Sequence, residues 1–385
     1  MNKIKNFFTK NKILKSGVSC VSVKKIAVCV FTGVKISDFE SPCGGEFRYL
    51  LTVAKGLKEL GHDVTVLLDN EYSDFQDNSV DFIHYNNIVD IKEFDVIFTQ
   101  DTDFFRRTLL PLKQSNPNLS IVMYSVGNIN TDYDLALCSA YIFKDPPCSW
   151  RVWSIDKSLL SFILYAYIDM PPRLSFDKYK MITASTELYS DIGFDVGYEI
   201  FLKVKECVPE LKYDYYYVKD WVNREFHINK SDSVVSYFEE NNILEKIETG
   251  ITGSETKIDG FNMIDFISHD KYIKSLVKAG FYLHNRGGTK ALTGNEAMAL
   301  GVCTVNPKWP HFTVSDLAIN YGFDFGRKEE RSVGIELCVN KIIDLINDDK
   351  EYKSISKLQT MQTRPNRTKQ NYLDKLNIIL NAIYS

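Results

Sequence analysis

The chain has 385 residues, of which 44% are hydrophobic and 25% charged, and its formal net charge is -4. At roughly 100–200 residues per domain, this is about two domains, each with enough chain to bury a core. Disorder, collagen and a single coiled coil are excluded, and no global basic excess marks a nucleic-acid binder.

The net charge hides an asymmetry. Residues 1–37 hold eight lysines and no acid, so the rest of the chain carries a formal -12. Residues 1–15 mix Lys3, Lys5, Lys10, Lys12 and Lys15 with Ile4, Phe7, Phe8, Ile13 and Leu14. Two readings stand side by side: a basic amphipathic segment for anionic lipid headgroups, or a frayed N-terminal extension. No apolar run of 7–15 residues follows the lysines, so a secretory signal is not expected. No run of about 20 apolar residues occurs, so no spanning helix is expected either. The longest apolar stretch, residues 159–166, is expected to be a buried helix. The eight cysteines form no CxxC and are scattered, which predicts buried thiols in a reducing, cytoplasmic setting.

The expected elements alternate. Residues 25–32 read as a strand buried on both faces. Residues 46–60 read as a helix with Leu50, Leu51, Ala54, Leu57 and Leu60 on one face, closed by Gly61. Strands follow at 63–68, 82–85, 95–99 and 120–124, with a helix at 104–114. The pattern blurs between 128 and 178, a stretch holding both Pro-Pro pairs. A second series has strands at 179–184, 213–218, 262–267, 281–284 and 302–306. Its helices are expected at 197–208, 233–246, 269–278 and 291–300, with Gly301 as the terminator. Residues 329–385 read as a helical tail with an amphipathic last helix. This order predicts an α/β chain of two facing Rossmann-like, doubly wound halves with ligands at strand carboxyl ends. The expected divisions are a basic extension (1–22), an N-terminal acceptor domain (23–174), a C-terminal donor domain (175–365) and a last helix (366–385) packing back across both.

Two segments carry chemistry. Gly44 and Gly45, between the first strand and its helix, let backbone approach a ligand at a helix N-terminus. No GxGxxG or GxxxxGK[ST] occurs, which demotes the classical dinucleotide and P-loop readings. Residues 284–301 leave a strand, cross a glycine loop bearing Arg286 and Lys290, and enter a helix carrying Glu296. Loop N–H groups, the helix dipole and the two cations suit a pyrophosphate, and Glu296 suits ribose hydroxyls. The alternative for Glu296 is a plain favourable acid near a helix start. Gln100, Asp101, Ser125 and Asn128, at N-terminal strand ends, are candidates to position an acceptor, and each residue type also serves as a loop or capping residue. His311 follows a C-terminal strand and either borders the sugar or lies on the surface. His62 is expected to be structural.

The segments GGEFRYLLTVAKGLKELGHDVTVLL (44–68) and GNEAMALGVCTV (294–305) resemble the large retaining GT-B glycosyltransferase family (glycosyl transferases group 1, family 4-like). The resemblance runs over roughly residues 25–350 and is specific in these two motifs. It implies a UDP-, GDP- or dTDP-sugar donor, no tightly bound cofactor and no metal. By position it implies that Glu296 binds the donor ribose. Gly44 and Gly45 would lie near the donor phosphate and sugar, and Gly288, Thr289, Lys290 and Ala291 beneath the donor. Two departures stand out. Gly288 occupies the position of the family's first Glu, and residues 185–197 lack its Arg and Lys, for which Arg286, Lys290 or Lys308 would substitute. The implied reaction is front-face transfer with retention to a glycan or lipid-linked acceptor in surface polysaccharide or glycoconjugate synthesis. The enzyme would sit in the cytoplasm, at the inner face of the membrane if residues 1–20 bind it. Rival readings are a nucleotide-sugar epimerase, a nucleic-acid-modifying transferase, disfavoured by the acidic body, and a degenerate scaffold subunit.

Overall fold

The computed structural model describes residues 22–31, 36–41, 45–69, 74–87, 90–100, 104–125, 138–143, 160–168, 175–184, 194–217, 259–265, 268–284, 292–308, 319–322 and 328–384. They form two sheets. The first contains β1 (Lys25–Val30), β2 (Asp63–Leu68), β3 (Phe75–Asp77), β4 (Val80–His84), β5 (Val96–Thr99), β6 (Ser120–Ser125), β7 (Ala140–Phe143) and β8 (Ser161–Ile163). Their order is β3-β4-β2-β1-β5-β6-β7-β8, and only β3 runs antiparallel to its neighbour. The second sheet has order β11-β10-β9-β12-β13-β14, with all its paired strands parallel. Its strands are β9 (Asp177–Ala184), β10 (Lys212–Tyr217), β11 (Phe261–Asp265), β12 (Ala279–Leu283), β13 (Cys303–Lys308) and β14 (Ile319–Gly322).

The helices are α1 (Gly45–Glu59), α2 (Leu110–Ser115), α3 (Phe194–Cys207), α4 (His269–Leu276), α5 (Leu292–Ala299), α6 (Lys328–Asn347), α7 (Asp349–Thr363) and α8 (Lys369–Tyr384). Alternation along the strands feeds two cores per sheet. In β1, Ile26, Val28 and Val30 face α1 and α8, while Ala27 and Cys29 face Phe105 and Leu109 on the other side. In the second sheet, α3 and α6 cover one face and α4 and α5 the other. Cys29, Cys303 and Cys338 are buried among these layers, and burial pushes the Cys29 thiol up to about 12, whereas Cys207 at the end of α3 is exposed, against the expectation of buried thiols.

Both glycine stops fall where expected. Gly61 has φ +88 and Gly301 φ +80, a conformation that favours glycine. Around each, the same pair of hydrogen bonds forms: Gly61 N to Lys58 O with His62 N to Leu57 O, and Gly301 N to Met298 O with Val302 N to Ala297 O. This is the Schellman ending, and it turns α1 into β2 and α5 into β13 within a few residues. His62 is structural, as expected: Lys24 N donates to its Nδ1 at 3.3 Å.

The structure corrects several local expectations. The described part of the expected helix at 159–166, residues 160–166, is not helical. Ser161–Ile163 pairs in parallel with β7, and Leu164, Ala166 and Ile168 are buried while Tyr165 and Tyr167 are half-buried. A short apolar run does not separate strand from helix by itself, and here the exposed edge of β7 decides. β3, β7, β8 and β14 have no counterpart among the expected strands. The β3–β4 hairpin turns through Asn78 and Ser79 at φ 50 and 60, without the Asn-Gly signal that marks such turns. Within 104–114 the backbone first makes a π turn, Phe105–Leu109, before α2. The helix expected at 233–246 lies outside the described residues.

The chain crosses between the two sheets twice, and the crossings are bonded together. Ile168 N donates to Arg367 O at 3.1 Å, and buried Arg367 donates to Ala166 O at 3.3 Å. The Arg367 guanidinium also lies 5.2 Å from the Tyr165 ring. Beyond this point α8 returns to the first sheet. Tyr372, Leu376, Ile379 and Leu380 are almost fully buried in its core, each contributing about 1.5–3 kcal/mol.

The seat for α8 is Gly56. A Cβ there would lie 2.7 Å from Tyr372 Cε1 and 3.1 Å from Leu376 Cδ2. Gly56→Leu is expected to destabilise the protein by about 1–3 kcal/mol through overpacking. Urea unfolding measures this, and an unchanged midpoint would mean that α8 does not seat on α1 in solution.

Candidate active site

In each sheet the strand order reverses beside the first strand, between β1 and β5 and between β9 and β12. Such switch points leave a crevice at the carboxyl edge of a parallel sheet. α1 starts just beyond β1, and α5 is the helix that follows β12. The two helices meet across an open pocket of roughly 480 Å³, mouth included. Glu40, Arg48 and Lys55 line it from the first half, Tyr167 from the crossing, and His269 and Glu296 from the second.

Glu296 is the chemically unusual member. α5 is buried from Gly294 to Ala299, and Glu296 is 1% exposed. Its Oε1 lies 2.7 Å from His269 Nε2. A carboxylate oxygen only accepts, so Nε2 carries the proton and donates. Oε2 is buried and has no hydrogen-bond partner among the described residues. A buried polar atom without a partner costs about 1–3 kcal/mol or more when charged, so such an atom needs an explanation.

The surroundings hold this carboxylate in place. Ser268 caps α4, its Oγ accepting from Lys271 N at 3.3 Å, so His269 begins the helix. Tyr282 donates to Thr293 Oγ1 at 2.7 Å and lies 3.4 Å from Ala184 O, tying α5 to both strands of the switch point. Burial raises the Tyr272 phenol well above its ordinary range, and the Tyr282 and Glu296 charges push the same way.

On the opposite wall Arg48 organises the segment before α1. Buried Arg48 donates from Nη1 to Phe39 O and from Nη2 to Ser41 O, the latter at 2.6 Å. The loop it holds reaches across the cleft, where Glu40 O accepts from His269 N at 3.4 Å.

Of the residues singled out from the sequence, the structure describes Gly45, the first residue of α1, Gln100, Ser125 at the end of β6, Glu296 and Lys308 at the end of β13. Gly44, Asp101, Asn128, Arg286, Gly288, Thr289, Lys290, Ala291 and His311 lie outside the described residues. Gln100, at the end of β5, is buried, and its Nε2 has no hydrogen-bond partner among the described residues. Sequence reasoning missed Arg48 and His269. In the sequence Arg48 reads as part of the polar face of an amphipathic helix. His269 lies 27 residues from Glu296, and no spacing rule connects them. Among the described residues no group of three or more metal-ligating side chains comes together, and no helix is long and apolar enough to cross a membrane.

No family model matches the sequence, and no curated protein matches it. Solved structures do match in shape. Sucrose-phosphate synthase from Thermosynechococcus elongatus is 11% identical with a TM-score of 0.60, over 94% of this chain and 99% of that one. An α-glucosyltransferase in complex with UDP and a 13-mer DNA containing a HMU base is 11% identical with a TM-score of 0.58, over 94% and 100%. Anabaena HepE in complex with UDP and glucose is 13% identical with a TM-score of 0.57, over 93% and 100%. The two facing sheets and helical tail are therefore the GT-B fold.

Arg48→Ala is expected to cost about 1.5–3 kcal/mol by leaving two carbonyls without their charged donor. Chemical denaturation measures the loss, and faster chymotryptic cleavage after Phe39 locates it. Native cleavage rates in the variant would contradict the clamp.

Proposed function

We propose that the protein is a glycosyltransferase that moves a sugar from a nucleotide-sugar donor to a glycan or lipid-linked acceptor, with retention. The observation that carries this reading is the buried Glu296 carboxylate with one oxygen unengaged, on a helix behind the switch point of the C-terminal sheet. Glu296 would accept the ribose hydroxyls of the donor. Two of the fold neighbours carry UDP in the same architecture, which supports a nucleoside diphosphate as the ligand class.

The chemistry asks little of any nucleophile. The leaving diphosphate gathers negative charge as the glycosidic bond breaks. Backbone N–H groups at the start of α1, beside Gly44 and Gly45, with Arg286 and Lys290, would stabilise it. Gly288, Thr289 and Ala291 would keep the loop beneath the donor narrow. The acceptor would enter from the N-terminal half, positioned by Asp101 and Asn128, with His311 near the sugar. In front-face transfer the leaving phosphate oxygen takes the acceptor proton. The lysines of residues 1–20 would hold the enzyme at an anionic cytoplasmic membrane surface near a lipid-linked acceptor in surface polysaccharide synthesis.

A second reading, a binding subunit without catalysis, draws support from Gly288 in place of the family's first Glu and from the uncharged-to-acidic character of residues 185–197. The test is a thermal-shift panel of UDP-, GDP- and dTDP-sugars, followed by donor hydrolysis. One nucleotide is expected to raise the melting temperature, and Glu296→Ala to weaken its binding by about 10–150-fold, the worth of one charged hydrogen bond. Stabilisation without hydrolysis or transfer would favour the binding subunit. No stabilisation by any nucleotide would defeat the proposal.

A further inference from the structure

We propose that His269 is the positioning residue of the nucleotide site: it holds Glu296 by Oε1 so that Oε2 alone is presented to the donor ribose. This deepens the reading above and rests on it. Three observations converge. The His269 Nε2–Glu296 Oε1 contact is short, at 2.7 Å, and is the hydrogen bond recorded for that carboxylate among the described residues. Glu296 is 1% exposed, so its second oxygen is buried without a described partner. His269 is itself fixed: it starts α4 behind the Ser268 cap, and its ring lies 6.3 Å from that of buried Tyr272.

The physical argument concerns rotation. A carboxylate on a helix has a broad terminal torsion, so a buried Glu without a directional donor samples many orientations. A donor on Oε1 selects one of them and leaves the other oxygen's lone pairs aimed at a ligand. This is how outer partners fix the groups that touch ligand in other sites. It also accounts for what the family resemblance leaves open. Gly288 and residues 185–197 offer no acid and no cations at the expected places, so more of the donor's binding falls on the ribose contact.

His269 has a second role by position. Its backbone N–H donates to Glu40 O, in the loop clamped by Arg48, so the residue that orients Glu296 also touches the opposite half. The ribose contact is thereby set by groups from both sides of the cleft.

The test uses the full chain and titration calorimetry with UDP and GDP, each beside its 2′,3′-dideoxy counterpart. The native protein is expected to prefer the ribose form of one of them strongly. His269→Ala should weaken that form by about 10-fold or more and bring its affinity close to that of the dideoxy form. His269→Gln, whose amide N–H can reach the same oxygen, should recover most of the preference. Lys274→Ala, which removes an exposed ion pair on the same helix, should leave both affinities as in the native protein. A merely structural histidine would lower both affinities together and keep their ratio, which would overturn the proposal. Unchanged or tighter ribose binding in His269→Ala would overturn it as well. Failure of the native protein to bind any of the four compounds would instead defeat the nucleotide reading on which the proposal depends.

Discussion

A strand buried on both faces of a parallel sheet must be returned by a crossover helix, so every carboxyl end points to the same edge. That constraint organises this molecule twice over. β1, β2, β4, β5, β6, β7 and β8 share one edge, and β9 to β14 share another. The loops able to hold chemistry therefore collect at two edges, and the helices that follow β1 and β12 reach the cleft between them. Glu296 and Arg48 belong to those two helices. They lie on opposite walls because the topology gives each half the same kind of switch point.

Facing halves need a joint that neither drifts apart nor fuses. The paired crossings supply it. Arg367 binds the carbonyl of Ala166 and lies against the Tyr165 ring, while its own carbonyl receives Ile168 N–H. These are few bonds, and they are concentrated at one point. α8 then anchors the end of the chain in the first sheet's core. The backbone bond from His269 to Glu40, at 3.4 Å, is longer than the bonds of this joint.

Much of the fold was legible because its signals are local. The run Ile26–Val30, the apolar face of α1 and the glycines at 61 and 301 each specify structure within a few residues. β2 falls on the residues read from DVTVLL, and the two Schellman endings follow from glycine alone. What was not legible depends on distant partners. The apolar run could have been helix or strand until the edge of β7 accepted Ser161–Ile163. The β3–β4 hairpin uses Asn78-Ser79, a weaker signal than Asn-Gly. In the cleft, Glu296 was singled out because its glycines, cations and acid sit in one stretch. His269 was not, because its meaning comes from a contact made across 27 residues. Arg48 was hidden for another reason: inside an amphipathic helix a single cation reads as the polar face, while here it is turned inward to two carbonyls.

The most informative residue is one that conflicts with folding. The glutamate at 296 sits within Asn295-Glu296-Ala297-Met298-Ala299, every one of them buried, where an apolar side chain would satisfy packing with no polar atom left over. The chain instead keeps a carboxylate, supplies one donor from His269 and leaves the other oxygen without a described partner. A sequence selected for stability alone would place an apolar side chain there, as it does on the buried faces of α3 and α6. A local rule that fails in the wall of a cleft supports the reading of Glu296 as a ligand contact. The conflict also fixes what the ligand must offer. It must bring hydrogen-bond donors rather than acceptors, and it must reach an oxygen in the wall of the cleft between the two switch points. On the proposed reading a sugar diol meets both demands, whereas an ionised phosphate brings no donor to this carboxylate and would be held elsewhere.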